Sequence, residues 1–205
     1  MIAETQTAGR GRFDRKWFSP EFENLYFSIL LIEKPLRPNF EILMAVSNSL
    51  LKTLKNYNIE TFIKWPNDII LNNKKLAGIL IENKYKAEKL EFTVAGIGLN
   101  VNTDFSKVEE LKDFAISLSQ YSGKEIEREN ILFDFLEKFE IEYKLDKKNL
   151  YNFYKANLYK LNEFIKLKYK DEIYNGIFLN VTEDGILQLV TDEGKLNFDI
   201  GEIMF

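Results

Sequence analysis

From residue 24 to residue 33 the sequence NLYFSILLIE is almost continuously apolar, which predicts a strand buried on both faces. Pro35 and Pro38 then mark a loop. Phe40, Leu43, Met44, Leu50, Leu51 and Leu54, with the small Ser47 in phase, recur at helical spacing and predict an amphipathic helix over about 39–56. ETFIKW (60–65) predicts a strand that stops at Pro66, whose ring holds Trp65 extended. KLAGILIE (75–82) and LEFTVAGIGLNV (90–101) predict two further strands, with the polar stretch 83–89 as their hairpin connection. From Arg128 onward helical spacing returns. Ile131, Leu132, Phe135, Leu136 and Phe139 share one face, and a second helix is expected over about 149–160.

The texture changes near Leu161. Short alternating segments, FIKLKY, IYNGIFLNV, ILQLV and KLNFDI, are separated by Asp184-Gly185 and Glu193-Gly194, both hairpin turn signals. The expectation is an α+β fold in two parts. Residues 1–161 form a mixed or antiparallel sheet packed with helices, and 162–205 a small SH3-like β-barrel. The barrel is near the size at which a core becomes marginal, so it should dock on the larger part.

A length of 205 residues with 45% apolar content is enough for a real core. No long apolar span is present and no basic leader with a cleavage site precedes the first strand, so the expected setting is cytoplasmic, without a membrane partner. The chain has neither Cys nor His. That excludes thiol nucleophiles, thiolate metal sites and the Ser-His-Asp relay, and leaves Lys, Arg, carboxylates, hydroxyls, amides and backbone donors to carry any chemistry.

Three segments are candidates. TQTAGRGRFDRKW (5–17) gathers Arg10, Arg12, Arg15 and Lys16 around Gly9 and Gly11 in a chain of net charge -4. Glycines admit close approach of backbone donors, and guanidinium forks match carboxylate or phosphate oxygens. The segment also reads as a solvated basic loop, or as a nucleic-acid contact with Trp17 and Phe18 stacking on bases. VAGIGLNVN (94–102) alternates Ala95, Ile97, Leu99 and Val101 against Gly96, Gly98, Asn100 and Asn102, giving one core face and one bare floor for a flat ligand. The same glycines fit a bulge or close packing. In KWPNDIILNNKKLAGILIE (64–82), Asp68 follows a Pro-Asn turn. Lys75 opens a buried-looking strand on the face of Ala77 and Ile79, where it either snorkels outward or points into a cavity.

Together, QTAGRGR, KWFSP, NLYFS, KWPND, KKLAGIL and GIGLNVN resemble the successive signatures of the biotin protein ligases, in that family's order. The likeness is close over about 1–105 and looser to the terminal GEI. It implies an enzyme that makes biotinyl-5′-AMP from biotin and MgATP. The biotin then passes to a lysine of a biotin carboxyl carrier domain of acetyl-CoA carboxylase or a related carboxylase. By resemblance Gln6 is a ligand of the ureido ring, and Arg10, Gly11 and Arg12 belong to the loop that closes over biotin. Arg12 and Lys75 grip the carboxylate and phosphate, and Gly78 lies where backbone approaches biotin. Trp17, Asn67 and Asn100 meet the nucleotide, with Lys64 and Arg15 as further phosphate contacts. Asp68 orients the acceptor amine. No metal ligand is implied beyond the Mg2+ that accompanies ATP.

The sequence departs from the family pattern in two places. Phe13 and Asp14 stand where a basic residue and a glycine are usual. The Ser/Thr-Thr-Asn motif that holds the ureido ring upstream of the loop is not found here, and Ser47-Asn48-Ser49 sits inside a helix. An incomplete sheet edge would invite a homodimer. No winged helix, and hence no DNA partner, is expected. The alternatives are a non-catalytic binder of biotin or its adenylate, and a lipoate ligase of the same general fold.

Overall fold

The computed structural model describes residues 1–32 and 36–204, with the side chain of Asp14 excluded. Pro35, expected in a loop, and Glu33, expected to end a strand, lie outside the described residues. In chain order the strands and α-helices of the first part are β1 (Ile2–Ala3), β2 (Leu25–Leu31), α1 (Asn39–Asn56), β3 (Phe62–Lys64), β4 (Asp68–Leu71), β5 (Lys74–Lys86), β6 (Lys89–Leu99), α2 (Leu118–Ser122), α3 (Arg128–Lys144) and α4 (Lys147–Ala156). The second part holds β7 (Phe164–Tyr169), β8 (Glu172–Val181), β9 (Leu187–Thr191), β10 (Gly194–Phe198) and β11 (Glu202–Ile203). The α+β class holds, with antiparallel sheets, helices and a C-terminal β domain.

Six strands pair in the order β1-β2-β6-β5-β4-β3, and five more in the order β10-β9-β8-β7-β11. One face of the six-stranded sheet carries Phe27, Ile79, Ala95, Ile97 and Leu99, all buried. Helix α1 covers that face with Ile42, Met44, Val46, Leu50 and Leu54 and is flanked by α3 and α4. Burial of a full Leu, Ile or Met side chain is worth about 1.5–3 kcal/mol, so this layer is the main source of stability. It leaves the opposite face of the sheet free for chemistry.

The C-terminal sheet docks through the residues next to Pro66. The Trp65 indole N–H donates to the Gly185 carbonyl at 2.9 Å, and within the first part the Tyr154 hydroxyl steadies this turn by donating to the Pro66 carbonyl at 2.8 Å. Gly185 (φ 89°) turns tightly against the Phe40 ring, where a Cβ would come within 2.7 Å of a ring carbon.

Several boundaries differ from the sequence reading. The stretch 83–89 is not a polar connection. β5 and β6 extend through it, and Ala87 and Glu88 alone turn the chain with φ of 45° and 65°. Alternating charge along 82–89 disguised strands that project from the body of the sheet and need no apolar face. The last helix of the first part is Lys147–Ala156, set by Asp146, whose side chain accepts from the Asn149 backbone N–H.

Candidate active site

A β-bulge makes the site. Along the β4–β5 ladder Asp68 faces Gly78 and Ile69 faces Ala77, but Ile70 faces Lys75, so Leu76 is an extra residue. Leu76 and Ala77 are both fully buried. This corrects the expectation that Lys75 shares the face of Ala77 and Ile79. The bulge turns it to the face of Gly78, where its Cε and Nζ lie 3.3 and 3.4 Å from the position of a Cβ on that glycine. There Lys75 Nζ pairs with Asp68 Oδ1 at 2.8 Å.

One cross-strand row supplies the rest of the floor. Lys64 pairs with Asp68, Asp68 with Gly78, and Gly78 with Gly98. Directly opposed residues in an antiparallel ladder point to the same face. Two cations and a carboxylate therefore border a patch of bare backbone. Gly96 extends it by one pleat beside Ser28.

The indole of Trp17 lies flat on this floor. A Cβ on Gly98 would sit 2.5 Å from its Cε2, and one on Gly78 2.9 Å from its Cζ3. The Lys75 ammonium stands 5.2 Å from the indole ring centre, while the buried indole N–H has no hydrogen-bond partner among the described residues.

The loop that delivers Trp17 is a small hairpin. Gly11 N–H donates to the Arg15 carbonyl at 2.7 Å and Trp17 N–H to the Gly9 carbonyl at 2.9 Å, around a single 3-10 turn at Arg12–Asp14. Four contacts, made by three arginines, pin it to distant parts of the chain. Arg12 donates to Asn67 Oδ1 at 2.9 Å and to the Gly201 carbonyl at 3.2 Å. Arg15 pairs with Glu202 at 2.6 Å. Arg10 pairs with Glu82 at 3.1 Å on the exposed rim.

Asn67 is a clamp. Its amide also donates to the Ile79 carbonyl at 2.7 Å, so one side chain ties the loop arginine to β5.

Floor and loop enclose a cavity of about 340 Å³, within the size range of small-molecule sites. Gln6, Arg10, Gly11, Arg12, Arg15 and Trp17 line it from the loop. Lys64, Asn67, Asp68, Lys75 and Gly78 line it from the sheet. Gln6 accepts from Ser19 at 2.9 Å. Asn100 does not line the cavity. It is buried, and its amide donates to the carbonyls of Lys75 and Ile116, both at 3.2 Å, so it secures the bulged strand from behind.

Sequence reasoning missed Glu202 and Gly201, which the C-terminal domain adds to the cavity wall, and Glu82 and Ser28. The terminal GEI was the available signal for the first two.

Charge in the site is strongly perturbed. Burial lowers the Lys64 ammonium to about 8, against the opposing pull of Asp68 and Glu202. Burial also lowers Arg12, partly offset by the same two carboxylates. Glu202 is raised by its own burial but ends below the usual carboxylate range, because Arg15 hydrogen-bonds it and Lys64 and Lys75 lie near. Such a site is poised to receive anions.

Comparison with known proteins agrees with this geometry. The profile of the Biotin/lipoate A/B protein ligase family matches residues 1–100, and that of the Biotin protein ligase C terminal domain matches 160–205. The biotin protein ligase from Aquifex aeolicus in complex with biotin and ATP superposes with a TM-score of 0.85 at 31% identity, covering 99% of this chain and 86% of that one. The biotin--[acetyl-CoA-carboxylase] ligase of Mycobacterium tuberculosis is 29% identical over 212 residues, 98% of this chain and 73% of that protein. The bifunctional ligase/repressor BirA of Bacillus subtilis is 34% identical over 203 residues, and the chain spans only 62% of that relative's length. On its profile matches, its shared fold and this site, the chain belongs to the biotin protein ligase family.

Proposed function

We propose that the chain is an ATP-dependent biotin protein ligase, acting on a carboxyl carrier domain of acetyl-CoA carboxylase or a related carboxylase. One observation carries the reading. Cations from two distant segments, Arg12 on the loop and Lys75 on the bulged strand, line a single cavity over a glycine floor. In the first step a biotin carboxylate oxygen attacks the α-phosphorus of ATP, the bond to the β-phosphate oxygen breaks, and pyrophosphate leaves. The carboxylate is already ionised at neutral pH, so no general base is needed and a chain without His or Cys suffices. Charge cancellation and positioning do the work. In the second step the carrier amine attacks the acyl carbon, an amide forms and AMP leaves. Asp68, paired here with Lys75, is assigned to orient the amine and take up its proton.

Trp17 leaves no room between its ring and the floor, so the adenine is assigned to the outer face of the indole. Lys64 and Arg15 are assigned to the phosphates, and Gln6 to the ureido end. Asp68, Glu82 and Glu202 are each paired with a cation, and among the described residues no cluster of acids gathers that could hold a metal. Mg2+ is assigned to the triphosphate, as part of the substrate. Among the described residues no helix is long and apolar enough to cross a membrane. Beyond Ser28 the β2 edge has no neighbour among the described residues, which supports pairing with a second copy.

The test is incubation of the full chain with biotin, MgATP and a carrier domain, followed by the carrier's mass and by biotin-dependent pyrophosphate exchange. A biotin adduct on the carrier is expected. Lys75→Ala should slow exchange by about 10²–10³, the usual cost of losing one donor to developing charge. Wild-type exchange no higher than background would reduce the protein to a binder, and equal exchange above background in Lys75→Ala would remove Lys75 from the chemistry.

A further inference from the structure

A second cavity, of about 370 Å³, abuts the first. Phe13, Arg15, Gly201 and Glu202 line both. The remaining walls are Ile200 and the side chains of Lys168 and Lys170, so the cleft lies between the loop and the β7–β11 pair. Phe13 is unusual in two ways. It takes a left-handed backbone conformation with φ 57°, a state that costs a bulky residue on the order of 1–3 kcal/mol, and the residue is 55% exposed with the Arg12 guanidinium 4.8 Å from its ring centre, so burial offsets little of that cost. Ile200 is also exposed beside it.

We infer that this cleft docks the polypeptide that presents the acceptor lysine, with an apolar side chain seated on Phe13 and Ile200 and acidic side chains meeting Lys168 and Lys170. The inference rests on the ligase reading and deepens it. A phosphate tail fits the cleft poorly, because phosphate recognition needs converging donors. Here the charge of Arg15 is already met by Glu202 at 2.6 Å, and the walls are a phenyl ring, an isoleucine and lysine stems. Neither Lys168 nor Lys170 forms an ion pair among the described residues. Lys170 only stacks on Tyr169, 5.1 Å from the ring centre. The nearby Glu172 accepts from the Tyr174 hydroxyl and lies outside the cleft. The shared wall sets the reach. An extended chain advances about 3.3–3.6 Å per residue, and because the two cavities share walls, a stretch that holds an acceptor lysine in the first reaches into the second.

The experiment compares the full chain with its Lys168→Glu/Lys170→Glu variant, using three readouts. These are transfer to an isolated biotin carboxyl carrier domain, transfer to hydroxylamine as a small nucleophile, and biotin-dependent pyrophosphate exchange. The expected result is a KM for the carrier raised about tenfold or more, with hydroxylamine trapping and exchange within about twofold of wild type. A carrier KM within twofold of wild type would overturn docking in this cleft. So would parallel loss of exchange, which would assign the cleft to the nucleotide. Wild-type protein without biotin-dependent exchange would overturn the ligase reading itself, and the docking inference with it.

Discussion

The two halves of the cavity are built on opposite principles. The floor is a set of hydrogen-bonded neighbours, Lys64, Asp68, Gly78 and Gly98 in one cross-strand row, and its geometry follows from sheet register. The loop has a few hydrogen bonds of its own and owes its place to partners 55 and 189 residues away, Asn67 and Gly201. The floor is preorganised by the core beneath it. The loop is held at the junction of two domains, by side chains that water or ligand can replace. A family that must admit small substrates and then exclude water needs one rigid surface and one detachable one.

The largest expected effect breaks the floor's economy. Lys64 is 2% exposed and burial pushes it down to about 8, whereas the unfolded chain keeps that proton until about 10.5. Between those values the unfolded state binds more protons, so stability rises with pH across the window and the penalty is fully present below pH 8. Urea unfolding of wild type and Lys64→Met from pH 7 to 10.5 should show wild type gaining on the order of 2–3 kcal/mol relative to the variant. Parallel curves would mean that Lys64 carries no such penalty. ATP should return the proton, so binding near pH 8.5 should take up protons from buffer.

Next comes the contact between the halves. Gly98→Ala puts a methyl group 2.5 Å from the Trp17 ring, which forces the indole off the floor. The chain has two tryptophans, and Trp65 is buried and hydrogen-bonded, so a red shift in emission would report Trp17. A loss of about tenfold in kcat/KM should accompany it. An unshifted spectrum would show that floor and loop do not touch in solution.

The loop alone gives a smaller effect. Glu202→Gln removes the charge that holds Arg15. A partly exposed pair is worth at most about 1 kcal/mol, so under the proposed mechanism release of the adenylate should quicken by no more than about fivefold. A far larger change would mean that the C-terminal domain does more than steady the loop.

How much of this was legible follows the same division. Alternation in VAGIGLNVN separated the core face from the glycine face correctly through Leu99, because a regular strand obeys its period. It failed at Lys75, because the inserted Leu76 reverses the face and leaves no mark in composition. Asn100 read as a ligand, but past the strand end its amide serves the backbone of Lys75 and Ile116. The cations of the loop were plain in the sequence. Their anchors were not, since Arg12 meeting the Gly201 carbonyl is a fact of domain docking across most of the chain.

The smallest effect lies at the far end of the floor, where β5 turns into β6. Ala87 and Glu88 hold φ of 45° and 65°, the conformation of a type I′ turn, which Asn-Gly adopts with least strain. The present residues are a poor fit, and each left-handed non-glycine costs on the order of 1 kcal/mol. Ala87→Asn/Glu88→Gly should therefore raise stability by about 1 kcal/mol, less the entropy that glycine gives the unfolded chain. The turn lies at the end of the long hairpin, and neither residue lines the cavity. Biotin-dependent exchange should then be unchanged while the urea midpoint rises. If exchange moved with the midpoint, stiffness of the whole hairpin would be part of catalysis, and the division between a floor set by sheet register and a loop held by side chains would have to be redrawn along β5 and β6.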